Sequence, residues 1–134
     1  MKIIPKEKLI IRDSFKLAYR GGEIWCEELD ALSIYTDIVA EKFLKDMETI
    51  RRPSSSAFIS VNLTATLVQK DIAELIIDKL LNVDRHLIKV VFIGLDHTGK
   101  KLFTSLLKQG HCAFSYQFID DLEKAKEWLI DVKF

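Results

Sequence analysis

Very little in this sequence breaks it up. Two prolines and five glycines are spread through 134 residues, which excludes a low-complexity scaffold and argues against disorder. Two cysteines are too few for a disulfide framework, so Cys26 and Cys112 read as free thiols packed in a core. Charge of one sign is lacking too: 20 acidic and 20 basic residues cancel to a net charge of zero. Nucleic-acid binders draw much of their affinity from neutralising phosphates, so no nucleic-acid partner is expected. The longest uncharged run, Pro53 to Gln69, carries six serine or threonine residues. It is therefore no membrane span, which takes about 20 mostly apolar residues. The opening Met1-Lys-Ile-Ile-Pro-Lys-Glu-Lys8 is too densely charged for a secretory signal, and a cytoplasmic location is the expectation. His86, His97 and His111 form no H-x-x-x-H spacing, so no metal or other cofactor is expected.

What is present is a dense supply of aliphatic and aromatic residues, 49% of the chain counting alanine and cysteine. A chain of this length buries roughly two thirds of its unfolded surface, enough for a core without staples. No repeat or linker divides it, and one domain over 1–134 is expected.

The apolar spacing orders the elements. Leu9-Ile-Ile is a short apolar run, and Phe15, Leu17 and Tyr19 alternate with polar residues as in a half-buried strand. Gly21-Gly22 predicts a tight hairpin turn into a returning strand at Glu23–Glu28. Tyr35, Ile38, Val39, Phe43, Met47 and Ile50 lie on one helical stripe, with Arg51 and Arg52 suited to the helix's negative end. Ala57–Leu63 is a strand. Thr66-x-x-Gln69 then has the form of a capping box for a very apolar helix ending near Leu81. That helix's wide apolar face predicts burial on more than one side.

Leu87–Gly94 is a continuous apolar, β-branched run, the pattern of a parallel strand covered on both faces. A helix over Thr98–Lys108 is expected to stop at a left-handed Gly110. Cys112–Ile119 is a last strand. Asp120-x-x-Glu123 caps a final helix whose inward face is Leu122, Ala125, Trp128, Leu129 and Val132. The resulting order, a β-hairpin followed by α, β, α, β, α, β, α, predicts an α/β domain with a mostly parallel sheet and an antiparallel edge.

Gly94-Leu-Asp-His-Thr-Gly99-Lys100 satisfies G-x-x-x-x-G-K between a predicted strand and a predicted helix, and resembles the phosphate loop of Arf-type small GTPases. Lys101 occupies the position where magnesium chemistry needs a Ser or Thr hydroxyl. Only 33 residues follow it, and no later strand ends in an aspartate suited to a second metal contact. Hydrolysis is therefore not expected. What survives is an anion held at the helix start by Gly99, Lys100 and Lys101.

Other candidates have plainer explanations beside them. Cys112 with His111 or His97 would make a nucleophile and base, but Cys112 opens an apolar strand and reads as packed. Glu27-Glu28 and Asp120-Asp121 are acid–base candidates that a solvated loop and a helix cap also explain. Arg51-Arg-Pro-Ser-Ser-Ser56 has the form of a phosphorylation site and equally of a helix-to-strand connection. Trp25 and Trp128 read as packing residues.

Four phrases carry a resemblance to a known family. They are Trp25-Cys-Glu-Glu-Leu-Asp30 leading into a helix, Phe58-Ile-Ser-Val-Asn-Leu63, Ile88-Lys-Val-Val-Phe-Ile-Gly94, and Phe118-Ile-Asp-Asp-Leu-Glu-Lys-Ala-Lys-Glu-Trp-Leu129. From about Phe15 onward the chain resembles STAS-like domains, the group that includes the SpoIIAA-type anti-sigma-factor antagonists and the SpoIIAA-like proteins of unknown role. The resemblance implies a mixed sheet of four to five strands with four helices, and a non-enzymatic, regulatory role through protein–protein contact. In the antagonists a serine within Asp-Ser-Ser-Gly, at the start of the helix after the third strand, is the phosphorylation switch. The matching stretch here, Val68-Gln-Lys-Asp71, has neither serine nor glycine; Thr64 and Thr66 lie in the same loop. The expected interaction or phosphorylation loop therefore comprises Thr64, Thr66, Gln69 and Lys70. A small apolar ligand such as a lipid is the alternative partner, motivated by the aliphatic second helix and by Phe114, Tyr116 and Phe118 on one side of the last strand.

Overall fold

The chain first reverses at Arg20-Gly21 in the computed structural model, which describes residues 3–83 and 85–131. Both residues take positive φ, 47° and 80°, as a two-residue hairpin between right-twisted strands requires. The turn thus sits one residue earlier than Gly21-Gly22. Gly22 already belongs to the returning strand, where a Cβ would lie 2.7 Å from the Ile130 side chain.

The hairpin joins β1 (Phe15–Tyr19) to β2 (Gly22–Glu28), and the chain then alternates. It runs through α1 (Thr36–Ile50), β3 (Phe58–Asn62), α2 (Lys70–Leu81) and β4 (Lys89–Ile93). It ends with α3 (His97–Gln109), β5 (Ser115–Phe118) and α4 (Leu122–Leu129). The sheet order is β1-β2-β3-β4-β5, with β1 antiparallel to β2 and every other pairing parallel. This is the expected α/β class: a mixed five-stranded sheet with four helices. Leu9-Ile-Ile forms no strand. Ile10 and Ile11 are exposed, and their segment follows a short 3-10 turn at Lys6–Lys8.

Strand alternation sorts side chains onto two faces. Trp25, Ile59, Val61, Val90 and Phe92 meet α1, α2 and α3 on one side. Ile24, Cys26, Val91 and Ile93 meet Ala125, Leu129 and Ile130 of α4 and its end on the other. β4 is covered on both faces, which explains its unbroken apolar run. α2 lies between α1 and α3 and also faces the sheet, so its broad aliphatic surface is buried on several sides. The last strand's aromatics join the same core, with Phe92 packed edge-on to Phe103 at 5.0 Å and beside Phe118 at 5.7 Å.

Four helix ends depart from their sequence reading. α2 begins at Lys70 behind Gln69, which makes no side-chain capping bond, and Thr66 is too far upstream to cap it. Gly110 is not left-handed (φ −81°); His111 takes that role at φ 52°. Gly110 is glycine for a steric reason, because a Cβ there would collide with the Leu81 side chain where α2 and α3 touch. At the end of α1 it is Arg85, not Arg51 or Arg52, that donates to a free carbonyl, from Nε to Ile50 O at 2.7 Å. The α4 cap is Asp121, not Asp120: its carboxylate accepts from Lys124 N at 3.0 Å, while Asp120 accepts from Gly94 N. Val132 lies outside the described residues. No helix among those described is long and apolar enough to cross a membrane.

Candidate functional site

Parallel strands converge their carboxyl ends on one edge of a sheet, and α/β proteins place their sites there. Here that edge is built by the loops after β2, β3 and β4. The first two run side by side: Leu29 N donates to Asn62 O, Ala31 N to Thr64 O, Ser33 N to Ala65 O, and Leu67 N returns to Ser33 O. Thr66 is the lock between them. Its Oγ1 accepts from Leu32 N at 3.1 Å and donates to Leu29 O at 2.6 Å, and the residue is buried. Ala31, Ser33 and Ala65 all have φ between 54° and 58°, the left-handed region that non-glycine residues seldom occupy. Strain of this kind persists only where surrounding bonds hold it, and it clusters at binding and switch segments.

The four residues expected to form an interaction loop are therefore divided by the structure. Thr66 faces inward. Thr64, Gln69 and Lys70 are exposed, with Thr64 Oγ1 donating to Asn62 Oδ1 at 2.7 Å. Gly94 packs directly against Thr64: a Cβ on Gly94 would stand 2.5 Å from the Thr64 Cα, and its φ is 85°.

Gly94 to Lys101 is internally satisfied. The Asp96 carboxylate caps α3, accepting from Gly99 N at 2.7 Å, and Gly94 N donates to Asp120 Oδ1 at 3.0 Å. Lys100 Nζ stands 3.9 Å from Asp120 Oδ2, while Lys101 is exposed. The groups that would meet an anion at Gly99 and Lys100 thus face carboxylates already.

The acidic pair Glu27-Glu28 is not on a solvated loop. Both residues end β2, are buried, and point to opposite faces of the sheet. Glu27 lies fully inside the helix-covered core, where Trp25 Nε1 donates to its Oε1 at 2.9 Å. Its Oε2 is 4.0 Å from Lys42 Nζ and, as a carboxylate oxygen, has no hydrogen-bond partner. As a carboxyl group it donates to Asp46 instead. Burial and that bond to Asp46 push Glu27 up to about 9, against the weaker pull of Trp25 and Lys42. Burial opposes ionisation of Asp46 as well, but bonds from Glu27, Lys42 and Ser14 outweigh it and leave Asp46 below the usual carboxylate value. Lys42 Nζ donates to Asp46 Oδ2 at 2.8 Å and to Ser14 Oγ at 2.7 Å, and Ser14 Oγ donates to Asp46 at 2.8 Å. This network ties the segment before β1 to the middle of α1.

Glu28 is on the other face, beside Asn62, whose Nδ2 donates to Glu28 Oε2 at 3.2 Å. Two residues back along the two strands, on the same face, Cys26 and Ser60 are in register, and Ser60 hydrogen-bonds the Cys26 thiol. Burial raises both Glu28 and Cys26 above their usual values. The period of β2 could have announced this: with Trp25 inward, Glu27 is inward too, and Cys26 and Glu28 share the opposite face. Cys112 is separate, its thiol donating to Phe114 O at 3.0 Å; His86, His97 and His111 are exposed. Among the described residues no three His, Cys, Asp or Glu side chains are placed to hold a metal ion. Set against protein-family models, curated proteins and solved structures, the chain finds no match in any of the three.

Proposed function

We infer that the chain is a non-enzymatic, STAS-like binding module that offers the β3–α2 loop, residues 64–70, to a protein partner. The observation that carries this reading is the loop's construction. Thr64, Ala65, Gln69 and Lys70 face solvent, while Thr66 in their midst is buried and bonded at both ends to the neighbouring loop. A surface held in one conformation before binding loses little entropy on contact, which favours recognition by a protein. A mixed sheet of five strands with four helices fits what the STAS-like resemblance implies. The side chains that motivated an apolar ligand, on α2 and β5, pack into the core, and this weighs toward the protein-binding reading.

Photo-crosslinking side chains introduced at Gln69 and at Lys70 test it, with Glu48 on the exposed side of α1 as the control position. One and the same protein captured in cells from both loop positions, and not from Glu48, is the expected result. Capture that is equal at all three positions, or absent from the loop, defeats the reading.

A further inference from the structure

Among the described residues α4 alone covers its face of the sheet, and it is only eight residues long. It packs on β3 and β4 and leaves the carboxyl half of β2 open toward β1. The gap is a cavity of about 170 Å³. Its floor is polar where a sheet face would ordinarily be aliphatic, as Val91 and Ile93 are next door: Cys26 and Glu28 from β2 lie beside Ser60 and Asn62 from β3. Its walls are apolar, with Phe15 and Leu17 from β1 and Leu122 and Ala125 from α4. Phe15 and Leu122 are 41% and 52% exposed, which leaves the mouth open to solvent.

The charges around the cavity do not balance. Arg12 at the rim is held by Asp30 at 3.1 Å, and Lys126 by Glu123 at 2.7 Å. Glu28 is the remaining charge. Asn62 serves its Oε2; its Oε1 is 3.8 Å from the shared Arg12 guanidinium, beyond hydrogen-bond distance, and the Asp30 carboxyl lies within hydrogen-bonding reach of Glu28, so two carboxyl groups meet at this end of the cavity. A half-satisfied carboxylate in an apolar-walled cavity favours a ligand that brings a charged donor. The apolar walls favour a compact hydrocarbon body; cavities of about 150 Å³ hold a benzene ring.

We propose that this cavity is a binding site for a small primary amine on an aryl or short alkyl body, its ammonium donating to Glu28 and its body lying between Phe15, Leu17 and Leu122. The site touches the β3–α2 loop through Asn62, whose Oδ1 accepts from Thr64, but its test reads ligand binding in the cavity alone, so it stands or falls apart from the protein-binding reading.

The test is an amide-resolved NMR titration of the full chain with phenethylamine, 2-phenylethanol and phenylacetate, which share a ring and differ in the head group. Saturable shifts at Cys26, Glu28, Ser60 and Asn62 with the amine are expected, with the alcohol about tenfold weaker and the carboxylate inert. Glu28→Gln keeps the acceptor for Asn62 and should weaken the amine about tenfold, with signals elsewhere unchanged. Leu122→Trp, at a rim position that is half exposed, should close the mouth and abolish binding. No saturable shift with the amine, phenylacetate binding as well as the amine, or full amine affinity in either variant would overturn the proposal.

Discussion

The indole N–H of Trp25 donates to Glu27 Oε1 at 2.9 Å, joining two residues on the same face of β2 inside the core. The bond secures one carboxyl oxygen and leaves the other to carry a proton toward Asp46. This has a pH consequence with a definite sign. The folded value of Glu27, about 9, is raised above its ordinary 4.5, so between those values the folded chain holds a proton that the unfolded chain releases. The stability it contributes is full below pH 4.5, erodes as pH rises, and is gone above 9. Asp46 has the opposite sign and acts only near and below its ordinary 3.8, outside that window. Urea denaturation should show the wild type losing roughly 4 kcal/mol more than Glu27→Gln between pH 5.5 and 8.5. Parallel pH profiles for the two proteins would mean that Glu27 is ionised when folded.

Gly94 and Gly21 both have positive φ, 85° and 80°, but differ in their surroundings. Nothing lies within 4 Å of a Cβ at Gly21, whereas one at Gly94 meets the Thr64 backbone. Gly21→Ala should therefore cost about 1 kcal/mol, the left-handed penalty alone. Gly94→Ala should cost roughly 3 kcal/mol or more, because the β3–α2 loop must move as well. Thermal unfolding of the two variants side by side measures the difference; equal losses would show that the Thr64 contact is soft.

Thr66 should tolerate serine and not valine. Thr66→Val leaves Leu32 N–H and Leu29 C=O unpaired in a buried place, at about 2–3 kcal/mol. Thr66→Ser keeps both bonds. Hydrogen exchange at Leu32 gives the local readout: its amide should exchange faster in the valine variant and stay protected in the serine variant. If valine leaves that amide protected, Thr66 is not the lock between the loops.

Asp96 should matter to α3 and to anions in opposite senses. Asp96→Ala removes the cap on Gly99 N–H and should destabilise the protein by about 1 kcal/mol. In the native chain the carboxylate already fills the place of a phosphate, so phosphate or ATP should leave the Gly99 and Lys100 amides unshifted. The alanine variant, with that N–H free beside Lys100, should show weak shifts with phosphate. Saturable shifts in the native chain at millimolar phosphate would restore an anion site there.

Much of the architecture was legible because it depends on local periodicity. Phe43 and Met47 recur at helical spacing and face the sheet; Val90, Val91 and Phe92 form an unbroken apolar run and are covered on both sides. Turn and cap positions were less legible. Gly22 and Gly110 look like conformational glycines, yet each makes room for a distant side chain, Ile130 and Leu81. Thr66 and Gln69 have the spacing of a capping box, but the Thr66 hydroxyl has a stronger use in binding the loop after β2.

The candidate site was the least legible part, for a reason that Glu27 and Glu28 make plain. As neighbours in sequence they read as one acidic pair. The pleat sends them to opposite faces, and what each meets there, Trp25 and Asp46 or Asn62 and Arg12, depends on chain 2 to 34 residues away. Composition and spacing alone established an α/β chain, its order of elements and most of its core, since burial of apolar stripes is a local pattern. Tertiary contact settled which loops touch, which carboxyl keeps its proton and where one short helix leaves the sheet uncovered, since desolvation and hydrogen bonding depend on groups brought together by the fold.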